Sequence, residues 1–182
     1  MMKFRVQKRA TLLLAVVSLA GALSACAPLM IGGAFVGGMM ASDRRTSGSQ
    51  VEDEGIELRA NNRINENLGE RVHVNVTSYN RQVLLTGEVP SEQDKQRVER
   101  VVAGVENVRS IVNELGVVGS STLTQRASDS LVTGKVKASL LDAKDLFSNA
   151  FKVVTERGTV YVMGRVTQRE ATRATEIISG TG

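Results

Sequence analysis

Two stretches of the chain repeat one pattern of apolar and polar positions. In each stretch an aspartate precedes three apolar residues spaced four apart: Asp53 with Ile56, Ala60 and Ile64, and Asp129 with Val132, Val136 and Leu140. Apolar residues at this spacing lie along one face of an α-helix, and an aspartate before them suits an N-cap or a first turn. Each repeat is therefore predicted to open with an amphipathic helix.

Alternating apolar positions follow each of these helices. The first repeat has them at Val74, Val76, Val83 and Leu85, and the second at Phe151, Val153, Val160 and Val162. A period of two predicts strands with one buried face, and residues 80–82 and 157–159 supply the hairpin turns. Gly87 and Gly164 lie at matching positions inside the second strands. We interpret both as structural glycines, because a glycine within a strand often marks a bulge or a close backbone approach.

A second helix is predicted after each hairpin, starting near Ser91 and near Thr167. The first repeat then adds a third strand over residues 108–115, whereas the second repeat ends at Gly182 without one. The order helix-strand-strand-helix-strand predicts an α+β fold, with helices on one face of a small mixed sheet. We expect that the second copy is truncated before its last strand, so that the natural chain continues beyond Gly182 or the sequence is a fragment.

The N-terminus has the layout of a bacterial export signal. A basic head is followed by an uncharged, mostly apolar run over residues 10–22 and by Leu23-Ser24-Ala25-Cys26. This ending resembles a lipobox, whose cysteine carries a diacylglycerol thioether, so we predict a covalent lipid on Cys26. A rival interpretation is an uncleaved membrane helix, since no charged residue occurs over residues 10–42. The predicted organisation is a signal peptide (1–25), a flexible linker (26–50) and two domains (51–118 and 127–182).

Charge and composition exclude several classes of function. Removal of residues 1–25 leaves 19 basic and 19 acidic residues, so the basic pI gives no reason to expect nucleic acid as a partner. Residues 46–119 carry a net charge of −4, and residues 120–182 carry +3. This asymmetry predicts partners of different charge for the two repeats, or repeats that bind each other.

The sequence offers little chemistry for catalysis. One cysteine and one histidine, His73, allow neither an intramolecular disulfide nor a His/Cys metal cluster. The chain contains no nucleophile-elbow, phosphate-loop or metal-ligand spacing, so we expect no enzyme activity, no metal and no cofactor apart from the covalent lipid. We interpret His73 and the acidic run at residues 52–54 as solvated.

The glycine-containing strands, Val83–Val89 and Val160–Val166, resemble those of BON domains. Together with the lipobox they resemble the dual-BON outer-membrane lipoproteins. This resemblance implies a lipid-anchored protein of the outer membrane that faces the periplasm, binds anionic phospholipid and supports envelope integrity and cell separation. It implies binding through the first helix of the second domain, residues 129–141, with Leu131, Lys135 and Lys137 as candidate contacts. Envelope proteins of division or outer-membrane assembly are further expected partners.

The residues themselves leave two functions open. Lys135 and Lys137 project about 200° apart on a helix, so they can flank a face that contains Leu131 while the other apolar residues face the sheet. A basic residue beside an anionic membrane contributes about 1 kcal/mol. The alternative is a periplasmic adaptor whose acidic first repeat docks a protein partner.

Overall fold

The computed structural model describes residues 43–181, and each repeat in it begins with a long helix. The first repeat consists of α1 (Ser47–Leu68), β1 (His73–Tyr79), β2 (Gln82–Val89), α2 (Glu92–Ala103), β3 (Ser110–Asn113) and β4 (Gly116–Val117). The second consists of α3 (Leu123–Asp142), β5 (Phe151–Glu156), β6 (Thr159–Gly164) and α4 (Gln168–Ser179). The predicted α+β class and element order are confirmed.

The sheet of the first repeat is mixed, as predicted. Strands β1 and β2 are antiparallel, and β3 and β4 pair with β2 in parallel. Helices α1 and α2 cover one face, where a single apolar cluster excludes water. Its buried residues are Ile56, Ala60, Ile64, Leu68, Val76, Val83, Leu85, Val89, Val98, Val102, Val105 and Leu115.

The second repeat builds a smaller core on a two-stranded antiparallel hairpin. Val136 and Leu140 of α3 pack with Val153 of β5 and Ala174 of α4. Within residues 43–181 no strand pairs with the outer edge of β6. Val162 on this strand is therefore 38% exposed, whereas the matching Leu85 of the first repeat is fully buried.

Both long helices begin earlier than predicted. The N-cap of α1 is Thr46, whose hydroxyl accepts from the Ser49 N–H, and the N-cap of α3 is Thr122. The predicted N-cap or first-turn role of the two aspartates is therefore wrong, because Asp53 and Asp129 both lie seven residues inside their helices. The linker predicted for 26–50 likewise extends too far, since residues 47–50 already form the first turn of α1.

Two residues with positive φ form each hairpin turn. They are Asn80 (φ 51°) with Arg81 (67°), and Arg157 (53°) with Gly158 (74°). Two consecutive left-handed residues are typical of a type I′ turn, whose twist matches that of the flanking strands. The predicted turn positions are thus confirmed, and the register of each hairpin follows from them.

The two repeats pack against each other. The Tyr79 hydroxyl donates to the carbonyl of Ala150 at 3.2 Å and accepts from the backbone N–H of Arg165 at 3.0 Å. The Lys152 ammonium lies 2.6 Å from a carboxylate oxygen of Glu57. The Tyr79 contacts lie on the sheet face that α1 and α2 leave uncovered and bury the tyrosine, whereas Lys152 reaches α1 itself through Glu57.

Candidate functional site

Helix α3 presents an exposed apolar stripe on the side opposite its core residues. At about 100° per residue, the stripe residues fall within a sector of about 80°. Leu131, at its edge, is 70% exposed, and the other members are exposed as well. The stripe consists of Leu123, Ala127, Leu131, Gly134, Ala138 and Leu141. An unpartnered apolar surface of this kind is unusual on a helix whose opposite face already fills a core.

Lys135 and Lys137 lie on the two sides of this stripe. Their helical positions are about 80° from its middle in opposite directions, so the predicted flanking arrangement follows from the observed helix. Both side chains are exposed, and neither ammonium forms an ion pair within the part of the chain that the structure describes. The stripe therefore has an apolar centre and free cationic borders.

The sequence interpretation identified one member of the stripe and missed the rest. Leu123 and Ala127 were overlooked because α3 was expected to begin near Asp129 rather than at Leu123. The sequence does contain a pattern that indicates the stripe. A second set of apolar residues, four and three residues apart, follows the helix beside the set that faces the core. Asp142 lies near the C-terminal end of the same surface and is its nearest acidic residue on the helix.

The repeated aspartates stabilise the hairpin turns from within the helices. One Asp53 oxygen accepts from the Arg81 N–H and the Ser78 hydroxyl, and the other accepts from the Asn80 N–H, each at 2.7 Å. In the second repeat, Asp129 accepts from the N–H groups of the turn residues 157 and 158, at 2.8 and 2.9 Å. The predicted solvated role of the acidic run is wrong for Asp53, which is buried.

The environment of Asp53 also keeps its carboxylate charged. Burial raises the pKa of Asp53, but the hydrogen bonds from Arg81, Ser78 and Asn80 outweigh that effect. The Arg45 guanidinium, 2.7 Å away, adds to them. The net result is a pKa below the ordinary value for an aspartate. The carboxylate therefore connects α1 to the hairpin turn as an anion at neutral pH.

The two predicted structural glycines have different surroundings. Gly87 adopts φ +114°, and a Cβ on it would lie 2.1 Å from the backbone oxygen of His73. A Cβ on Gly164 would lie 2.8 Å from the backbone oxygen of Ala150, without a positive φ. Close backbone approach therefore accounts for both glycines, and Gly87 also requires a conformation that other residues rarely adopt.

His73 is not solvated as the sequence interpretation expected. Its ring is half-buried, and Nδ1 lies 3.0 Å from a carboxylate oxygen of Glu88, the residue opposite it in the β1–β2 register. The strand alternation did point its side chain away from the apolar core. The expectation was wrong because the second repeat covers that face of the sheet.

The predicted lipidation residue, Cys26, lies outside the described residues. Among residues 43–181, no helix is both long enough and apolar enough to cross a bilayer.

Comparisons with known proteins identify relatives over most of the chain. Residues 52–119 and 128–182 each match the BON domain family. The outer membrane lipoprotein DolP of Haemophilus influenzae is 35% identical over 159 residues, which cover 86% of this chain and 82% of that protein. A 21 kDa hemolysin of Actinobacillus pleuropneumoniae is 32% identical over 137 residues, covering 74% of this chain and 71% of the relative.

Proposed function

Since this chain belongs to the BON family and has the tandem arrangement of the dual-BON outer-membrane lipoproteins, we propose that it binds anionic phospholipid through α3. In this proposal it is a non-enzymatic lipoprotein, anchored through Cys26 in the outer membrane and facing the periplasm. It supports envelope integrity and cell separation. The observation that carries the lipid-binding role is the exposed apolar stripe of α3 with a free lysine on each side.

The arrangement of the stripe suits a helix that lies in a membrane interface. Apolar side chains such as Leu131 enter the boundary between headgroups and acyl chains, while flanking lysines extend toward the phosphates. Lys135 and Lys137 can reach phosphates on both sides of the helix at once. A helix that only faces solvent has no requirement for exposed leucines at positions 123, 131 and 141.

The expected binding energy is modest without the anchor. Two lysines contribute about 2 kcal/mol at an anionic surface, and the shallow burial of a leucine adds about 1–2 kcal/mol. The acyl chains on Cys26 would hold the protein at the membrane. Sixteen residues lie between Cys26 and Asp43, so the chain between them spans at most about 60 Å. The second domain then acts at a high effective lipid concentration.

Vesicle flotation with the chain from residue 27 onward, which has no acyl group, tests the proposal. We expect binding to vesicles that contain phosphatidylglycerol and little binding to phosphatidylcholine vesicles. Replacing both lysines, Lys135→Glu with Lys137→Glu, should weaken binding by about thirtyfold or more, because two attractive charges become repulsive. Leu131→Glu should weaken it as well.

A matched control uses two exposed arginines away from the stripe. Arg97→Glu with Arg169→Glu makes the same change in net charge on α2 and α4. We expect this variant to retain most of the binding. Equal losses in the two double variants would show that net charge alone attracts the protein, and unchanged binding after the lysine reversals would refute the assigned face.

A further inference from the structure

Three side chains that can bind a metal meet where the two repeats contact each other. They are His73, Glu88 and Glu156, and each offers one donor atom such that all three donors lie within 4.8 Å of one another. One imidazole and two carboxylates form a donor set that proteins use for divalent transition metals.

The fold brings these residues together from distant parts of the chain. His73 and Glu88 are opposite each other in the β1–β2 register, on the sheet face that the second repeat covers. Glu156 ends β5, and one of its oxygens accepts from the Asn75 side chain at 2.5 Å and from the Thr86 hydroxyl at 3.5 Å. These two hydrogen bonds from β1 and β2 hold the Glu156 carboxylate beside the other two donors.

Both carboxylates are buried, and the imidazole of His73 is the basic group beside them. Glu88 is 1% exposed and Glu156 is 6% exposed, and neither forms an ion pair with a lysine or arginine of residues 43–181. One Glu88 oxygen lies 3.0 Å from His73 Nδ1 and accepts from the Ser121 hydroxyl at 3.1 Å. The other, Oε1, is buried with no hydrogen-bond partner.

Burial of these two carboxylates raises the free energy of the folded state unless a cation compensates their charge. Two carboxylates removed from water repel each other, and a buried oxygen without a partner adds a desolvation penalty. Arg126 and Arg157 line clefts beside the cluster, but neither forms an ion pair with these carboxylates. The cleft beside Arg126, of about 330 Å³, reaches His73 and Glu156 and gives a small ion access.

We propose that His73, Glu88 and Glu156 form a binding site for a divalent first-row transition metal, with Zn²⁺ as the best match. Imidazole nitrogen disfavours Mg²⁺ and Ca²⁺, which prefer all-oxygen sites. Donors about 2.0–2.2 Å from Zn²⁺ lie roughly 3.5 Å apart, so donor atoms that are as much as 4.8 Å apart would move about 1 Å closer together. Solvent can supply the fourth position.

The bound ion would connect the two repeats. Two donors come from the first repeat and the third comes from the second, so the metal adds a bond across a contact that otherwise depends on hydrogen bonds and ion pairs. Metal occupancy would then set how firmly the domain that carries the α3 stripe is held against its neighbour.

The single histidine of the chain makes the site directly observable. In the full chain, purified in detergent and freed of metal with EDTA, one set of imidazole resonances reports His73 by NMR. We expect one equivalent of Zn²⁺ to shift these resonances and to raise the melting temperature. Calorimetric titration should give one site per chain, and Mg²⁺ should leave the resonances unchanged.

Isosteric variants distinguish a site formed by all three side chains from Zn²⁺ binding by the histidine alone. Glu88→Gln and Glu156→Gln keep the volume and most hydrogen bonds, and each should weaken Zn²⁺ binding by about tenfold or more. Glu54→Gln, on an exposed part of α1, should bind like the parent protein. Imidazole resonances that do not respond to Zn²⁺ would refute the site, as would equal affinity in all three variants.

Discussion

The two repeats share a plan but differ in how completely each one buries its core. In the first repeat, β2 is flanked by β1 on one side and by β3 and β4 on the other. In the second, β5 and β6 form a two-stranded sheet among the described residues, and fewer apolar side chains are fully buried. A two-stranded hairpin is marginally stable by itself and needs cover from other elements.

The difference indicates a division of roles between the repeats. The first has the larger core and provides a firm surface, on which Tyr79 and Glu57 hold the second repeat. The second contributes the exposed stripe of α3, which no other element of the described chain covers. We therefore expect stability to be concentrated in the first copy, whereas the second presents the stripe that we propose as the lipid contact.

The largest expected difference between the copies concerns the buried aspartates. Asp53→Ala leaves the two turn N–H groups and the Ser78 hydroxyl without their acceptor and removes one of the two carboxylates that pair with Arg45, so it should lower the free energy of unfolding by about 3–5 kcal/mol. Asp129→Ala removes an acceptor from only two N–H groups and should cost about 1–3 kcal/mol. Urea unfolding followed by circular dichroism measures both.

Equal losses in these two variants would contradict the concentration of stability in the first repeat. The control is Glu54→Gln, which alters an exposed acidic side chain next to Asp53 and should change the free energy of unfolding by less than about 0.5 kcal/mol.

Substitution of the two matching glycines by alanine is expected to have an intermediate effect on the free energy of unfolding. Gly87→Ala combines a positive φ with an overlap onto the His73 backbone oxygen, and we expect a loss of about 3 kcal/mol in the free energy of unfolding. Gly164→Ala meets the Ala150 backbone oxygen at 2.8 Å without a positive φ, so the cost should be about 1 kcal/mol. Thermal and urea unfolding of the two variants give the comparison, and a larger loss for Gly164→Ala would contradict it.

The smallest expected effect concerns an ion pair between the segment that precedes α1 and the second repeat. Hydrogen bonds from the Arg44 guanidinium and from Thr167 lower the pKa of Glu170 to about 2 from the ordinary value of 4.5. Because the pKa in the folded state is the lower one, the charged form stabilises the fold above pH 4.5. This contribution disappears as the pH falls from 4.5 toward 2.

Comparison of Glu170→Gln with the parent protein across pH tests this assignment. The variant should melt slightly lower at pH 7, because the pair is exposed and solvent screens it. The gap in melting temperature should narrow as the pH falls from 4.5 toward 2. A gap that is unchanged at low pH would show that the glutamate acts through packing rather than through its charge.

Local patterns in the sequence were sufficient to predict the elements of both repeats. The four-residue spacing of Ile56, Ala60 and Ile64 identified the buried face of α1, and strand alternation identified the apolar face of each hairpin. The starts of α2 and α4 near Ser91 and Thr167 were predicted correctly, but those of α1 and α3 were misplaced, because the threonine caps at 46 and 122 carry a weaker signal than the aspartates. On α3 the same error shortened the predicted membrane-facing surface.

The sequence by itself determined the order of the elements, the internal repeat and the charge difference between the copies, because these depend on residues that are close together along the chain. Only the tertiary structure decided what Asp53, His73 and Glu156 do. Each takes at least one partner from a strand or turn 15 or more residues away along the chain, and a buried charge is unfavourable unless a partner compensates it. Which groups compensate these charges depends on how the two repeats pack, and residues close together along the chain do not indicate that.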